Sequence, residues 1–165
     1  LLLSHKTPPS MITGIRDGAE TAVRAGIQHI LFAEILENDA LEIDAYLKSM
    51  KKVPSPHLVN GKLNKEAKRG RRIFIRAGCA ECHPAPHYTD LKKYNVGTGA
   101  GAEKNIKFDT PTLIEMWRTA PYLYDGRALS LYEVLRTYNQ NDSHGITIKL
   151  NQSEISDLNE FILSL

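Results

Sequence analysis

The sequence predicts an all-α fold, and three observations support this prediction. Apolar residues recur at spacings of three and four in several segments, which is the period of an amphipathic helix. Residues that favour helix ends stand at the boundaries of these segments. Of the 165 residues, 42% are hydrophobic and 24% are charged, which is close to the average for globular proteins and argues against intrinsic disorder. A chain of this length forms one domain of ordinary size or two small ones.

Two amphipathic helices are predicted in the first third of the chain. One covers residues 17–32 and the other covers residues 37–50, because apolar side chains recur at helical spacing in both. A proline-containing stretch follows, with Pro54 and Pro56 ahead of Asn60-Gly61. Residues before proline avoid the α-helical region and Asn-Gly favours a turn, so residues 53–62 are predicted to form a linker.

The next predicted helix begins after Asn64, whose side chain is suited to cap a helix, and continues to Arg76. Gly78 is expected to end it, immediately before the first of the two cysteines. Residues 84–109 contain several glycines and prolines with little periodicity and are predicted to form a long loop. Loops of this length are uncommon and usually serve a function.

Two shorter helices are predicted downstream of that loop. Thr110-Pro111 is expected to begin the first, which continues to about Arg118, because proline is favoured in the first turn of a helix. The segment Ser130-Leu131-Tyr132-Glu133 matches a capping box and is expected to open the second, which ends near Asn139.

The last predicted helix begins at Asn151 or Ser153 and repeats the character of residues 37–50. Residues 46–50 are Tyr-Leu-Lys-Ser-Met, and the chain ends in Phe-Ile-Leu-Ser-Leu. This internal repeat implies that residues 1–52 are the helical tail of a preceding, related domain. The first residue is leucine rather than methionine, so we expect a piece of a longer chain. The predicted organisation is this tail, a linker at 53–62 and one domain at 63–165.

The charge balance gives little indication of a nucleic-acid partner. The chain has 21 Lys and Arg against 19 Asp and Glu, a net charge of +2, which is too weak to indicate nucleic-acid binding. No apolar run approaches the roughly 18 to 20 residues of a membrane span. Between residues 62 and 76, cations outnumber the single Glu66: Lys62, Lys65, Lys68, Arg69, Arg71, Arg72 and Arg76. A solvated helix face is the simpler interpretation, and a docking surface for an acidic partner is the alternative.

The two cysteines of the chain lie three positions apart and are followed directly by a histidine, in the segment Cys79-Ala80-Glu81-Cys82-His83. This spacing suits thioether bonds to the two vinyl groups of one haem, with His83 as an axial iron ligand. A zinc site would need four Cys or His ligands, and a thioredoxin-type redox pair would need a βαβ context that the chain lacks. The motif therefore predicts one covalently bound c-type haem.

The residues around this motif resemble a known group of cytochromes. The segments that carry the likeness are Ala67-x-x-Gly70-x-x-x-Phe74, Asp109-Thr110-Pro111-Thr112-Leu113 and residues 118–127. Together with the haem motif, they are similar to the c-type cytochrome domains of the dihaem cytochrome c peroxidase and MauG-like group, which includes cytochrome domains fused to β-propellers. The likeness covers residues 60–165, and residues 7–52 resemble the tail of the partner domain. It implies a cytochrome c fold and a location outside the cytoplasm, in the periplasm or an equivalent lumen.

Three residues are candidates for the second axial ligand of the iron. His144 lies in a polar loop between two predicted helices, where the loop can bring its ring over the haem face, and it is the preferred candidate. Tyr138 stands where the resemblance implies a methionine ligand in peroxidases and a tyrosine ligand in MauG-like proteins. Met116 offers a thioether, but packing within the apolar core is its simpler explanation.

Three further residues are candidates for contact with the haem itself. Arg118 and Arg127 are expected to pair with the haem propionates, because a guanidinium group matches the geometry of a carboxylate. Trp117 is a third candidate for binding the cofactor.

The preferred functional interpretation is electron transfer, as a domain or subunit of a larger redox protein. Its expected partners are redox proteins or other haem domains of a larger complex. The alternative is a MauG-like or peroxidase-like enzyme with a weakly held or open distal position. Relatives in the peroxidase group often carry histidine where Tyr124 stands, and this difference argues against inherited peroxidase chemistry.

Overall fold

The computed structural model describes residues 2–165, and helices make up most of its regular structure. The α-helices are α1 (Ala19–His29), α2 (Glu37–Ser49), α3 (Lys65–Arg76), α4 (Cys79–Cys82) and α5 (Gln152–Leu163). Two-residue strands β1 (Lys93–Tyr94) and β2 (Phe108–Asp109) pair antiparallel. Single 3₁₀ turns cover Gly101–Glu103 and Met116–Arg118, and a π-helical turn covers Glu133–Thr137. The all-α prediction is confirmed. Within residues 2–165, no helix is long and apolar enough to cross a membrane.

Helices α3 and α5 cross closely at Gly70. A Cβ atom at this position would lie only 1.9 Å from the carbonyl oxygen of Asp157, so only glycine permits the crossing. The apolar side chains buried around it are Ala67, Ile73, Phe74, Ile155, Leu158, Phe161 and Ile162. This packing fixes the C-terminal end of α3, which leads directly into the cysteine motif.

Both of these helices begin as the sequence predicts. The Asn64 side chain accepts a hydrogen bond from the backbone N–H of Ala67 at 2.7 Å. At the start of α5, the Asn151 side chain accepts from the N–H of Glu154, and the Glu154 carboxylate accepts from the N–H of Asn151, both at 3.0 Å. This reciprocal pair is a capping box, and it satisfies two backbone donors that the helix itself leaves without partners.

The predicted helix at 110–118 is wrong except for its last turn. The backbone N–H and the hydroxyl of Thr110 both donate to the Lys92 carbonyl, which holds this segment extended beside β1. Glu115 then adopts a φ of 65°, in the left-handed region, and only Met116–Arg118 forms a helical turn. The predicted loop at 84–109 is likewise interrupted, because it contains β1 and pairs with itself through β2.

The predicted capping box at Ser130 forms only in part. The Ser130 hydroxyl accepts from the N–H of Glu133 at 3.2 Å, as expected. The Glu133 carboxylate, however, accepts from the N–H of Leu129 at 2.6 Å rather than from that of Ser130. The turn that follows is π-helical and ends at Thr137, two residues before the predicted end near Asn139.

Helices α1 and α2 are joined by charged groups. Arg24 of α1 donates to Asp44 of α2 at 2.8 Å and also to Glu37. His5 Nε2 lies 3.2 Å from the Asp44 carboxylate, whose residue is only 2% exposed. Burial acts to raise the pKa of Asp44, but the hydrogen bonds from Arg24 and His5 outweigh it and lower that pKa.

Hydrogen bonds join the predicted linker, residues 53–62, to α5. The Ser55 hydroxyl donates to the Leu163 carbonyl at 2.6 Å, and His57 Nδ1 lies 2.9 Å from the Glu160 carboxylate. At the start of the segment, the N–H of Val53 donates to the carboxylate of Glu115. Residues 53–62 therefore follow the surface of the domain that comes after them.

Candidate haem site

The cysteine motif begins where α3 ends. Gly78 adopts a φ of 79°, a left-handed conformation that reverses the chain, and α4 begins at the next residue. The two sulfur atoms are thus carried on a single helical turn, as the spacing predicts. Burial raises the pKa of the Cys79 thiol to about 11 and also raises that of Cys82, so both thiols are protonated at neutral pH.

A cavity of about 540 Å³ lies against this motif. Its volume falls within the range of roughly 300–1,000 Å³ that is usual for pockets that bind small molecules and cofactors. Most of the wall is apolar, from residues such as Phe74, Leu113, Leu131, Val134, Leu135 and Ile162. Five sequence-predicted site residues share this wall: Cys79, Cys82, His83, Met116 and His144. The cavity is therefore large enough and apolar enough for a haem macrocycle.

His83 is held in one orientation by the backbone. Its Nδ1 lies 2.9 Å from the carbonyl oxygen of Tyr88, which can only accept, so Nδ1 carries the proton and donates. The residue is 7% exposed, and this burial lowers the pKa of the imidazole. The Nε2 atom therefore keeps a free lone pair on a neutral ring, which is the form that binds iron.

His144 lies close to His83, and both residues line the cavity. The two ring centres are 6.3 Å apart and the ring planes are inclined at 44°. A first-row metal ion binds an imidazole nitrogen at about 2 Å, so two imidazoles on opposite sides of one ion have ring centres roughly 6 Å apart. Within the described chain, His144 Nδ1 is buried and has no hydrogen-bond partner. Burial, reinforced by His83, lowers the pKa of His144 to about 4, so this ring is also neutral. The residues present thus fit an iron between two histidines.

Hydrogen bonds hold the loop that carries His144 in place. The buried Asn139 accepts from the N–H of His144 at 2.8 Å through its side-chain oxygen, and its amide group donates to the carbonyl of Gly145 at 2.8 Å. The next residue, Ile146, donates its N–H to the Ala77 carbonyl at 2.9 Å. A Cβ atom on Gly145 would lie 3.3 Å from the sulfur of Cys79. The loop therefore packs directly against the start of the Cys79–His83 segment.

The two other candidate ligands are placed differently. Tyr138 is not among the residues that line the cavity; its hydroxyl donates to the Arg127 carbonyl at 3.3 Å, and the Arg127 guanidinium lies 5.8 Å from its ring centre. Met116 does line the cavity, and its sulfur accepts a hydrogen bond from the Thr119 hydroxyl at 3.6 Å. Of the three candidates, only His144 has its ring opposite His83 in the structure.

The three residues predicted to contact the haem lie outside the cavity wall. Arg118 donates through Nε to the buried carboxylate of Glu115 at 2.7 Å, and Arg127 donates to Asp125 at 2.7 Å. The indole Nε1 of Trp117 is buried and has no hydrogen-bond partner in the described chain. A contact of Arg118 or Arg127 with a haem propionate stays a prediction. Each guanidinium group already binds a carboxylate of the protein, so a propionate would have to share or replace that partner.

The cavity wall also contains residues that sequence reasoning assigned no role. Residues 10–16, which we name the strap, close on themselves through hydrogen bonds between Ser10 and Arg16, and they bring Met11 and Ile12 to the cavity. The Ile12 carbonyl accepts from the N–H of Asp109, which also lines the cavity. No local signal marks the strap, because it lies more than sixty residues before the cysteines. Asp109, in contrast, stands inside a motif that the sequence analysis singled out.

Comparison with curated proteins finds relatives in the group that the sequence resembles, although no family model matches the chain. It is similar to the gamma subunit of hydrazine synthase from Kuenenia stuttgartiensis, with 29% identity covering 73% of this chain and 47% of the relative. It is 33% identical to the methylamine utilization protein MauG from Methylorubrum extorquens, over 44% of this chain and 25% of the relative. Cytochrome c551 peroxidase from Nitrosomonas europaea is 24% identical over 81% of this chain and 41% of the relative. The chain therefore spans less than half the length of each of these proteins.

Solved structures show the same relationship. Hydrazine synthase from Kuenenia stuttgartiensis, determined under 20 bar of xenon, matches 96% of this chain and 68% of its own, with a TM-score of 0.82 and 26% identity. A MauG-like protein associated with microbial copper homeostasis matches 85% of this chain and 60% of its own, with a TM-score of 0.65 and 17% identity, which shows the fold alone. The predicted cytochrome c fold is confirmed by these matches.

Proposed function

This chain resembles the dihaem cytochrome c peroxidase and MauG-like group in sequence and shares its fold, and from this premise we propose that it transfers electrons through one covalent c-type haem. Cys79 and Cys82 would hold the haem through thioethers, and His83 and His144 would bind its iron. The observation that carries the proposal is the opposition of the two imidazole rings, with 6.3 Å between their centres. When bound, the haem supplies one-electron redox chemistry.

The protein's own contribution is to hold both imidazoles still and neutral. The Tyr88 carbonyl orients His83, and Asn139 orients the loop of His144. His83 and His144 would each offer the iron a nitrogen whose position is already fixed, and the electron transfer that the haem would supply requires no general acid or base from the protein. The wall around both rings is mostly apolar.

The surroundings of Tyr124 favour this role over peroxide chemistry. Its ring stacks on Phe108 with 4.7 Å between ring centres, and its hydroxyl accepts from the N–H of Ala100 at 3.3 Å. A phenol hydroxyl lacks the basic nitrogen with which an imidazole accepts a proton from peroxide. The residue at the position where the resemblance implies a histidine is thus a stacked tyrosine in the cavity wall.

We also propose that the chain is part of a larger redox assembly. The similarity to a hydrazine synthase subunit favours a complex in which this haem exchanges electrons with another haem or with a redox protein. On α3, Lys65, Lys68, Arg71 and Arg72 have no acidic partner among the described residues, whereas Arg69 and Arg76 pair with Asp157 and Glu154. These four cations suit an acidic partner. Covalent haem attachment favours an extracytoplasmic location, in the periplasm or an equivalent lumen.

Mass spectrometry of the denatured protein tests the attachment. Protein matured in a host that makes c-type cytochromes should carry one haem mass per chain, and Cys79→Ser combined with Cys82→Ser should abolish it. A colourless chain that binds zinc in equal amount would overturn the proposal.

Reactivity with peroxide tests the role. The haem-loaded protein should exchange one electron reversibly with ferricyanide and dithionite, and it should turn over hydrogen peroxide no faster than its Tyr124→Phe variant. Peroxide turnover in the wild type that the Tyr124→Phe variant loses would favour the alternative of a MauG-like or peroxidase-like enzyme.

A further inference from the structure

Asp109 is a carboxylate in the wall of the haem cavity that the proposed function does not use. It belongs to β2, opposite Lys93 of β1, and its backbone N–H donates to the Ile12 carbonyl of the strap at 2.9 Å. The Oδ1 atom is buried, and within residues 2–165 it has no hydrogen-bond partner. A buried carboxylate oxygen without a donor is costly, so this atom is poised to acquire either a proton or a ligand.

The donors nearby are already engaged elsewhere. The hydroxyl of Tyr94, on the strand that pairs with β2, donates to Asp90 at 2.7 Å. The hydroxyl of Thr110, the next residue after Asp109, donates to the Lys92 carbonyl at 2.9 Å. The protein itself therefore leaves the Asp109 carboxyl without a hydroxyl donor.

The charges that act on Asp109 come from β1 and the turn before it. Burial raises the pKa of Asp109 to about 6; Lys93 acts to lower it, and Asp90 acts to raise it. The charged residue of the strap is Arg16. It lies with Glu20 and Glu37 in the groove beside α1 and does not line the cavity that contains Asp109. Lys93 is thus the cation that faces Asp109, and a Cβ atom on Gly14 of the strap would lie 3.1 Å from the Lys93 side chain.

We propose that Asp109 binds one proton when the iron of this site gains one electron, so that reduction and proton uptake are coupled; this rests on the proposed function. An external reductant, such as a redox protein or dithionite, loses one electron, and the iron passes from the ferric to the ferrous state. Asp109 takes one proton from solvent at its carboxyl oxygen, and no other bond forms or breaks. Loss of one positive charge from a shared, apolar cavity favours the neutral carboxylic acid.

The position of Asp109 makes the exchange of protons with water direct. The residue is only partly buried, and the strap residues above it, Met11 and Ile12, are exposed. A proton therefore needs no relay of side chains to reach the site.

The test is the midpoint potential of the haem-loaded full chain, measured by spectroelectrochemistry between pH 5 and 9. Proton uptake on reduction means that the potential falls as the pH rises above about 6, with a slope that approaches 59 mV per pH unit for one electron. Asp109→Asn should remove most of this slope. Asp17→Asn removes an exposed carboxylate outside the cavity wall and should leave the slope unchanged.

A second measurement identifies the proton directly. The reduced-minus-oxidised infrared spectrum of the wild type should contain a carboxylic-acid C=O band that Asp109→Asn lacks. A slope and a band that persist in Asp109→Asn would assign the proton to another group, such as a propionate, and would overturn the inference. A flat, reversible one-electron response in the wild type would also overturn it, while leaving electron transfer intact. Failure of the proposed function would instead show as the absence of covalent haem or of a reversible response.

Discussion

Residues 63–165 bury an apolar core in which Leu158 is 0% exposed, whereas residues 2–52 bury the charged Asp44 beside only three apolar side chains, Ala19, Ala40 and Leu47. In the first region, α3 and α5 interlock through side chains such as Phe74 and Phe161, whose rings meet edge to face at 5.2 Å. In the second, Arg24 and His5 join α1 to α2 through the Asp44 carboxylate. Apolar burial stabilises residues 63–165, and hydrogen-bonded charges join the two helices before them.

The same contrast is visible at the surface. The turn after α1 leaves large apolar side chains in solvent, with Phe32 88% exposed and Ile30, Leu31 and Leu36 also exposed. A small helical pair with so little apolar burial gains little from the hydrophobic effect. The same substitution should therefore lower the free energy of unfolding much more in residues 63–165 than in residues 2–52.

The largest expected effect is that of Gly70→Ala. The new Cβ atom would meet the Asp157 carbonyl oxygen at 1.9 Å, so α3 and α5 must separate. We expect a loss of about 5 kcal/mol or more in the free energy of unfolding, or no folded protein at all. Gly26→Ala in α1 is the matched control, because its Cβ atom would have nothing within 4 Å. It should stabilise by about 0.5–1 kcal/mol. Chemical denaturation measures both, and a mild effect of Gly70→Ala would contradict the close crossing.

Leu158→Ala should have the next largest effect. Truncating this fully buried side chain leaves a cavity between α3 and α5 and should cost about 2 to 5 kcal/mol. Leu31→Ala makes the same chemical change at a side chain that is 69% exposed, and it should change stability by less than about 0.5 kcal/mol. Similar losses of stability in the two variants would contradict the burial of Leu158 in the apolar core.

Asp44→Asn should have a smaller effect that depends on pH. Because pairing lowers the pKa of Asp44 in the folded chain, the unfolded chain binds more protons at acid pH, and the carboxylate stabilises the fold most above its unfolded pKa of about 3.9. The wild type should therefore be more stable than Asp44→Asn at pH 7, and the difference should shrink as the pH falls through the folded pKa. Thermal unfolding between pH 2 and 7 measures this difference. A constant difference would show that the carboxylate charge contributes nothing.

Local signals predicted the parts of the fold that local interactions decide. The caps at Asn64 and Asn151 were predictable because a side chain bonds to a backbone group three residues away. The helix expected after Thr110 fails because Lys92, eighteen residues earlier, takes its hydrogen bonds. Propensity and capping rules compare residues only a few positions apart, so they do not detect such a contact.

The candidate site divides in the same way. The cysteine pair and His83 are adjacent in the chain, so the motif alone predicts a joint role for them. The pairing of Arg118 with Glu115, three residues earlier, was also a local signal, and it offers the arginine a partner other than a propionate. The opposition of His83 and His144 depends on Asn139 and on the contact of Ile146 with Ala77, which only the folded chain brings together.

The most direct test of the proposed site is the spectrum of the ferric, haem-loaded protein, recorded from the ultraviolet to the near-infrared in three forms. If His83 and His144 both bind the iron, the wild type is low-spin with two imidazole ligands, and Tyr138→Phe leaves its spectrum unchanged. His144→Ala should become high-spin and bind cyanide rapidly, because one axial position opens. A spectrum that changes in Tyr138→Phe but not in His144→Ala would contradict the account in favour of tyrosine. A methionine-to-iron charge-transfer band in the wild type would contradict it in favour of Met116.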